Sequence, residues 1–152
     1  MSDAMRVSPQ PLFDLLPLRP HLIAPEHVEA VNGRFADEGF RIVTVRADSQ
    51  HVRTVDDLLG EISKALGLST EGPVNWPAFN DWLGDLLVDE GKPLVIVVHG
   101  LDAILRRNVQ AYLQCVHGLL GMTEAYRSPE YPELAQLEYV FPGAWAKFGG
   151  KA

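Results

Sequence analysis

Five consecutive apolar residues, Leu94 to Val98, follow Gly91 and Pro93 with no polar side chain among them. A half-exposed strand would alternate with polar residues. A valine- and isoleucine-rich run bounded by turn residues therefore predicts a strand covered on both sides. Double coverage is the mark of a parallel sheet with helices on its faces. Counted from Pro93, the run is six residues, the longest uncharged apolar stretch in the chain, and a bilayer needs about 20.

The flanking patterns agree. Phe40 to Arg46 alternates, with Ile42 and Thr44 on one face and Val43 and Val45 on the other, and predicts a first strand; Tyr139 to Phe141 is a short last one. From Pro25 to Gly39 a first-turn proline, Glu26 and Glu29 near the N-terminus, and Val28, Val31 and Phe35 at helical spacing predict a helix. Thr54 and Asp57 form a capping box with a shortened acid, opening a helix whose stripe is Val55, Leu58, Leu59, Ile62 and Leu66. Asn75 caps the next, running to Val88. There Phe79, Trp82, Leu83, Leu86 and Leu87 recur at i, i+3, i+4, i+7 and i+8, so all five are expected inward and Asn80, Asp81, Gly84 and Asp85 outward. Asn108 to Met122 is a further helix, with Val109, Tyr112, Leu113, Val116, Leu119 and Leu120 inward and Cys115 as a packing residue.

Strands separated by helical crossovers predict a single α/β domain: a small three-stranded parallel sheet packed with helices, with an extra N-terminal helix. Residues 1–24, with prolines at 9, 11, 17 and 20, read as an irregular arm that ends in a candidate edge strand, Pro20 to Ala24. Residues 25–141 form the domain and 142–152 a C-terminal tail.

The net charge of −7 argues against nucleic acid or an anionic membrane as the main partner, since both demand a basic field. Between Thr54 and Gly91 eight acids face one lysine, and the rest of the chain is balanced. All the net charge thus sits in one quarter of the sequence. Asp14 and Pro17 interrupt the only apolar stretch near the N-terminus, so no secretory signal is expected and the cytoplasm is the default location. A single cysteine forms no internal disulfide and no zinc cluster, and five scattered histidines lack metal-ligand spacing. No metal or cofactor is expected.

Two chemical motifs fail on inspection. Gly67 to Gly72 has the glycine spacing of a phosphate loop, but Pro73 and Val74 stand where lysine and a hydroxyl residue are required. The strand at 94–98 runs into His99, where a nucleotide hydrolase would carry a magnesium-binding acid. What remains is the helix after Asn75. Asp81 and Asp85, four apart, share one face, and Asp89 extends the row; like charges at that spacing cost a few tenths of a kcal/mol each, which tilts the face toward binding.

The order of elements from Ile42 to Val98, and above all the stretch Asn75-Trp76-Pro77-Ala78-Phe79-Asn80-Asp81-Trp82-Leu83, resembles the barstar family of ribonuclease inhibitors. The resemblance covers roughly residues 40–122. It implies a non-enzymatic immunity or antitoxin protein whose acidic helix and preceding loop block the cationic site of a basic toxin or nuclease, with no small-molecule substrate. Asp81 matches the family's main inhibitory aspartate and Asn80 a contact position, with Asn75, Trp76 and Asp85 beside them. Two departures fall on contact positions: Pro77 replaces a family acid, and Ser69 to Val74 lacks the aromatic-glycine pair that usually precedes the asparagine. A non-inhibitory interaction module on the same fold is the alternative, and a small-molecule enzyme using His99 and Asp102 is a third reading.

Overall fold

The computed structural model describes residues 21–68, 72–126 and 135–147. The chain runs β1 (His21–Ile23), a single 3-10 turn (Pro25–His27), α1 (Val28–Asp37), β2 (Arg41–Arg46), α2 (Val55–Ala65), α3 (Trp76–Glu90), β3 (Leu94–His99), α4 (Leu101–Arg107), α5 (Val109–Tyr126), β4 (Leu137–Pro142) and a last 3-10 turn (Trp145–Lys147). Most of the proposed arm, residues 1–20, lies outside the described residues, as do 148–152 of the proposed tail.

All strand pairs are parallel, but the sheet has four strands, not three, in the order β1-β4-β3-β2. The additional strand is His21–Ile23, within the candidate edge strand Pro20 to Ala24, and it pairs with Val140–Pro142 at the sheet's edge. Three residues between two prolines are too few to show a period, and what makes them a strand is the free edge of β4. The chain crosses from β1 at one edge to β2 at the other, then steps back through β3 to β4. Right-handed crossovers in opposite directions place their helices on opposite faces. Accordingly α1 packs Val31 and Phe35 with Val95, Val97 and Val140 on one side, while α2 to α5 cover Leu94, Ile96, Val98, Tyr139 and Phe141 on the other. The five residues Leu94–Val98 are buried on both sides, as their unbroken apolar run requires.

One further expectation, the inward face of α5, is corrected. Val109 and Leu113 on α5 are exposed, whereas Cys115, Val116, Leu119 and Met122 are buried. The inward stripe is set by contact with α4 and β4, and these packing partners rotate it from the one that the apolar residues of the first turns suggested. The segment after β3, to which no element is assigned from the sequence, contains a short helix, α4, entered through Gly100 in the left-handed region at φ 87°.

Local signals explain the element ends. Thr54 accepts a hydrogen bond from the Asp57 amide at 3.1 Å, and the Asp57 carboxylate accepts from the amides of Arg53 and Thr54 at 3.0 and 3.1 Å, completing the capping box. Gly60 has no room for a side chain: a Cβ there would stand 2.2 Å from the Gly72 carbonyl oxygen, so Gly72 and Pro73 lie directly against α2. The Val74 amide then donates to the Asp56 carbonyl at 2.9 Å and returns the chain to the start of α2.

The hydrogen bonds from the Arg53 and Thr54 amides hold the Asp57 carboxyl below its ordinary pKa, against an opposing desolvation. A depressed carboxyl stabilises the fold above its unfolded pKa and ceases to do so as the pH falls through the folded value. Thr54→Ala is expected to cost about 1 kcal/mol at neutral pH. Asp57→Asn should destabilise at pH 7 and become nearly silent at about pH 2, measured by urea unfolding across that range.

A buried polar cluster fastens β1. His21 Nε2 lies 3.4 Å from Glu138 Oε1, the Gln136 amide donates to Glu138 Oε2 at 2.9 Å, and all three residues are almost fully buried. Glu138→Ala leaves His21 and Gln136 without this acceptor and is expected to cost about 2–4 kcal/mol, with faster hydrogen exchange at Ile23 than elsewhere in the sheet.

Candidate functional site

Helix α3 carries four of the eight concentrated acids: Asp81, Asp85, Asp89 and Glu90. Asn75 Oδ1 accepts from the Ala78 amide at 2.9 Å, and Pro77 occupies the first turn, where its missing N–H breaks no helical bond. Gly91, at φ 61°, closes the other end. Phe79, Leu83 and Leu87 form the buried stripe, each at most 1% exposed. At about 100° per residue, Asp81 and Asp85 stand about 160° from the centre of that stripe, and both are exposed. Among the described residues no cation lies within 4.0 Å of Asp81, Asp85 or Asp89, while Glu90 is paired with Arg41 at 3.0 Å.

Trp82 is 37% exposed, which overturns its expected burial, and Leu86 is only partly buried. The same geometry gives the reason. Trp82 lies about 100° from the centre of the Phe79-Leu83-Leu87 stripe, at the boundary of what one helix face can bury. Its indole therefore flanks the acidic row on the side away from α5, whereas Val88, 45% exposed, lies about 120° from it on the row's other side.

On the side facing α5 is an open groove of about 620 Å³, lined by Trp76, Pro77, Asn80 and Asp81 from α3 and by Gly118, Gly121, Met122 and Ala125 from α5. Trp76 packs directly on Gly118, where a Cβ would fall 2.3 Å from the indole Cζ2, and meets Phe79 edge-on with ring centroids 6.3 Å apart. The structure thus brings together Trp76, Asn80 and Asp81 in one groove wall. Asn75 is spent on the cap, and Asp85 lies one turn on, outside the groove. From the sequence Trp82 reads as a core residue, and Val88 and the α5 glycines are not singled out. Helix angles place Trp82 at the limit between core and surface, and the glycines become meaningful only once α3 lies against α5.

His99 and Asp102 do not assemble a catalytic pair. The Asp102 carboxylate accepts from Arg106 at 3.2 Å and from the Ala144 amide at 3.0 Å, tying α4 to the chain after β4. Burial, and then the charge of Arg46, lower the pKa of His99. Burial also pushes the Cys115 thiol up to about 11, so it is protonated at neutral pH. No group of three or more metal-ligating side chains occurs among the described residues, and none of their helices is long and apolar enough to cross a membrane.

The profile of the Barstar (barnase inhibitor) family matches residues 42–137, from β2 to the start of β4, well over half the chain. The chain belongs to this family, a family of inhibitors that bind a protein partner. Among curated proteins none matches. A chain in the solved structure of Drosophila ORC bound to GC-rich DNA and Cdc6 aligns with 84% of this chain and 41% of its own length, at 17% identity and a TM-score of 0.43. That likeness is too low to bear on fold or function.

The burial pattern of α3 sets two side chains apart. Phe79→Ala is expected to cost about 3–5 kcal/mol, and Trp82→Ala about 1 kcal/mol, in paired urea titrations. Equal costs would mean that Trp82 is a core residue.

Proposed function

We propose that this protein is an immunity or antitoxin protein acting in the cytoplasm, without catalysis of its own, and that it occludes the cationic site of a basic toxin or nuclease with the first two turns of α3. The observation that carries this reading is the exposed acidic row beginning with Asp81 on the rim of the α3–α5 groove. A carboxylate there can enter a concave basic site and stand in for a substrate phosphate. Trp82 beside it supplies the kind of aromatic anchor that dominates many interfaces. Asn75 fixes the helix start, while Trp76 and Asn80 shape the wall behind Asp81. Asp85, outside the groove, belongs to the rim and acts through long-range attraction.

A second reading, a non-inhibitory interaction module on the same fold, is favoured by Pro77. The ring sits, exposed, where the family resemblance expects an acid, so one contact to a ribonuclease is missing.

The experiment is binding to a barnase-type ribonuclease and to any basic toxin encoded beside this chain, at two salt concentrations. Asp81→Ala should leave the melting temperature within about 2 °C of the parent and weaken binding by about 30-fold or more, chiefly through faster dissociation. Asp85→Ala should mainly slow association, and the effect should shrink at high salt. If Asp81→Ala binds its partner as tightly as the parent protein, the inhibitory reading fails and the interaction module replaces it.

A further inference from the structure

A second groove, of about 650 Å³, opens between the segment joining β2 to α2 and the junction of α4 with α5. It shares no lining residue with the groove beside Asp81. It lies beyond the carboxyl ends of β2 and β3, where α/β sheets with helices on both faces place their ligand crevices. Its size falls in the range of small-molecule sites, roughly 300–1,000 Å³.

The lining is chemically divided. Val52, Ile104, Ala111 and Cys115 form an apolar floor, and the first and last of these are buried to within 6% of full coverage. Ser49 and Gln50 add hydrogen-bonding groups on one wall. Two arginines complete it from separate elements, Arg53 before α2 and Arg107 at the end of α4. Neither has an ion-pair partner within 4.0 Å among the described residues. The one acid in the lining, Asp48, is already neutralised by two 3.0 Å hydrogen bonds from Arg46. Asp57, the acid whose charge feels Arg53, is committed to the backbone amides of Arg53 and Thr54. In a chain of net charge −7, a groove lined by apolar residues and by two arginines with no ion-pair partner among the described residues favours anions by contrast with its surroundings.

We propose that this groove binds a small organic anion, with an oxyanion headgroup held by Arg53 and Arg107 and an apolar body resting on Val52, Ile104, Ala111 and Cys115. Guanidinium forks match carboxylate and phosphate oxygens alike, so the shared chemistry is the oxyanion. The Cys115 thiol, held protonated by burial, serves as floor and not as a nucleophile. The site is independent of the acidic helix and does not rest on the inhibitory reading.

The test is titration of the full chain with phenyl phosphate, benzoate, inorganic phosphate and benzyl alcohol, followed by amide and arginine side-chain chemical shifts. Phenyl phosphate or benzoate should produce saturable shifts confined to residues 48–55 and 104–115, with binding in the millimolar range or tighter. Inorganic phosphate should bind at least about tenfold more weakly, and benzyl alcohol not measurably. Arg53→Ala and Arg107→Ala should each weaken binding about tenfold. Both arginines are exposed, so melting curves should show the two variants folded. The proposal is overturned if neither organic anion saturates, if the shifts map elsewhere, or if the double variant binds as well as the parent. Equal affinity for inorganic and phenyl phosphate would overturn the role of the apolar floor.

Discussion

Leu94, Val95, Ile96, Val97 and Val98 are removed from water on both sides of the sheet, and a strand with two dry faces obliges the chain to supply helices to each. Burying five such side chains is worth on the order of 10 kcal/mol, comparable with the whole net stability of a domain. The two crossover directions follow from this demand. One brings α1 over Val95 and Val97, and the other brings α2 to α5 over Leu94, Ile96 and Val98. The helices of the second layer are therefore held by the sheet, and their outer faces are released from any duty to the core.

That release is what allows α3 to be acidic. Phe79, Leu83 and Leu87 alone anchor it to the core at full burial, and Asp81, Asp85 and Asp89 repel one another on the far side at a cost of a few tenths of a kcal/mol per pair. The layer is also pinned at its ends. Arg41 at the start of β2 meets Glu90 at the end of α3, and the Val74 amide joins the loop to α2. A surface that is electrostatically unfavourable in isolation thus stands on a rigid support.

Much of this architecture was legible beforehand because it is written in periods. The unbroken run at 94–98, the alternation at 40–46 and the capping box at Thr54 are local signals, and each became the element it predicted. The family resemblance likewise rested on contiguous residues, and the match over residues 42–137 agrees with it. What escaped depended on contacts between distant segments. Pro20 to Ala24 was readable as a candidate edge strand, but its place in the sheet depends on the edge of β4, and Val109 and Leu113 point outward only because α5 is rotated by its neighbours. In the candidate site, the exposure of Asp81 and Asp85 followed from spacing, whereas Trp82 sits at the angular limit where a period cannot decide between core and surface. The seat of Trp76 on Gly118 joins positions 42 residues apart and has no sequence signal at all.

Pro77 has a thermodynamic side beyond the charge it displaces. Its ring fixes one backbone angle, and with the Asn75 cap and the Val74–Asp56 hydrogen bond it leaves the entrance of α3 little freedom in the unbound molecule. A contact surface that is already ordered loses less entropy on docking. If a partner docks here as proposed, stiffness at this end of the helix stands where the family resemblance expects a carboxylate, and that partner meets a shape that was ready before it arrived.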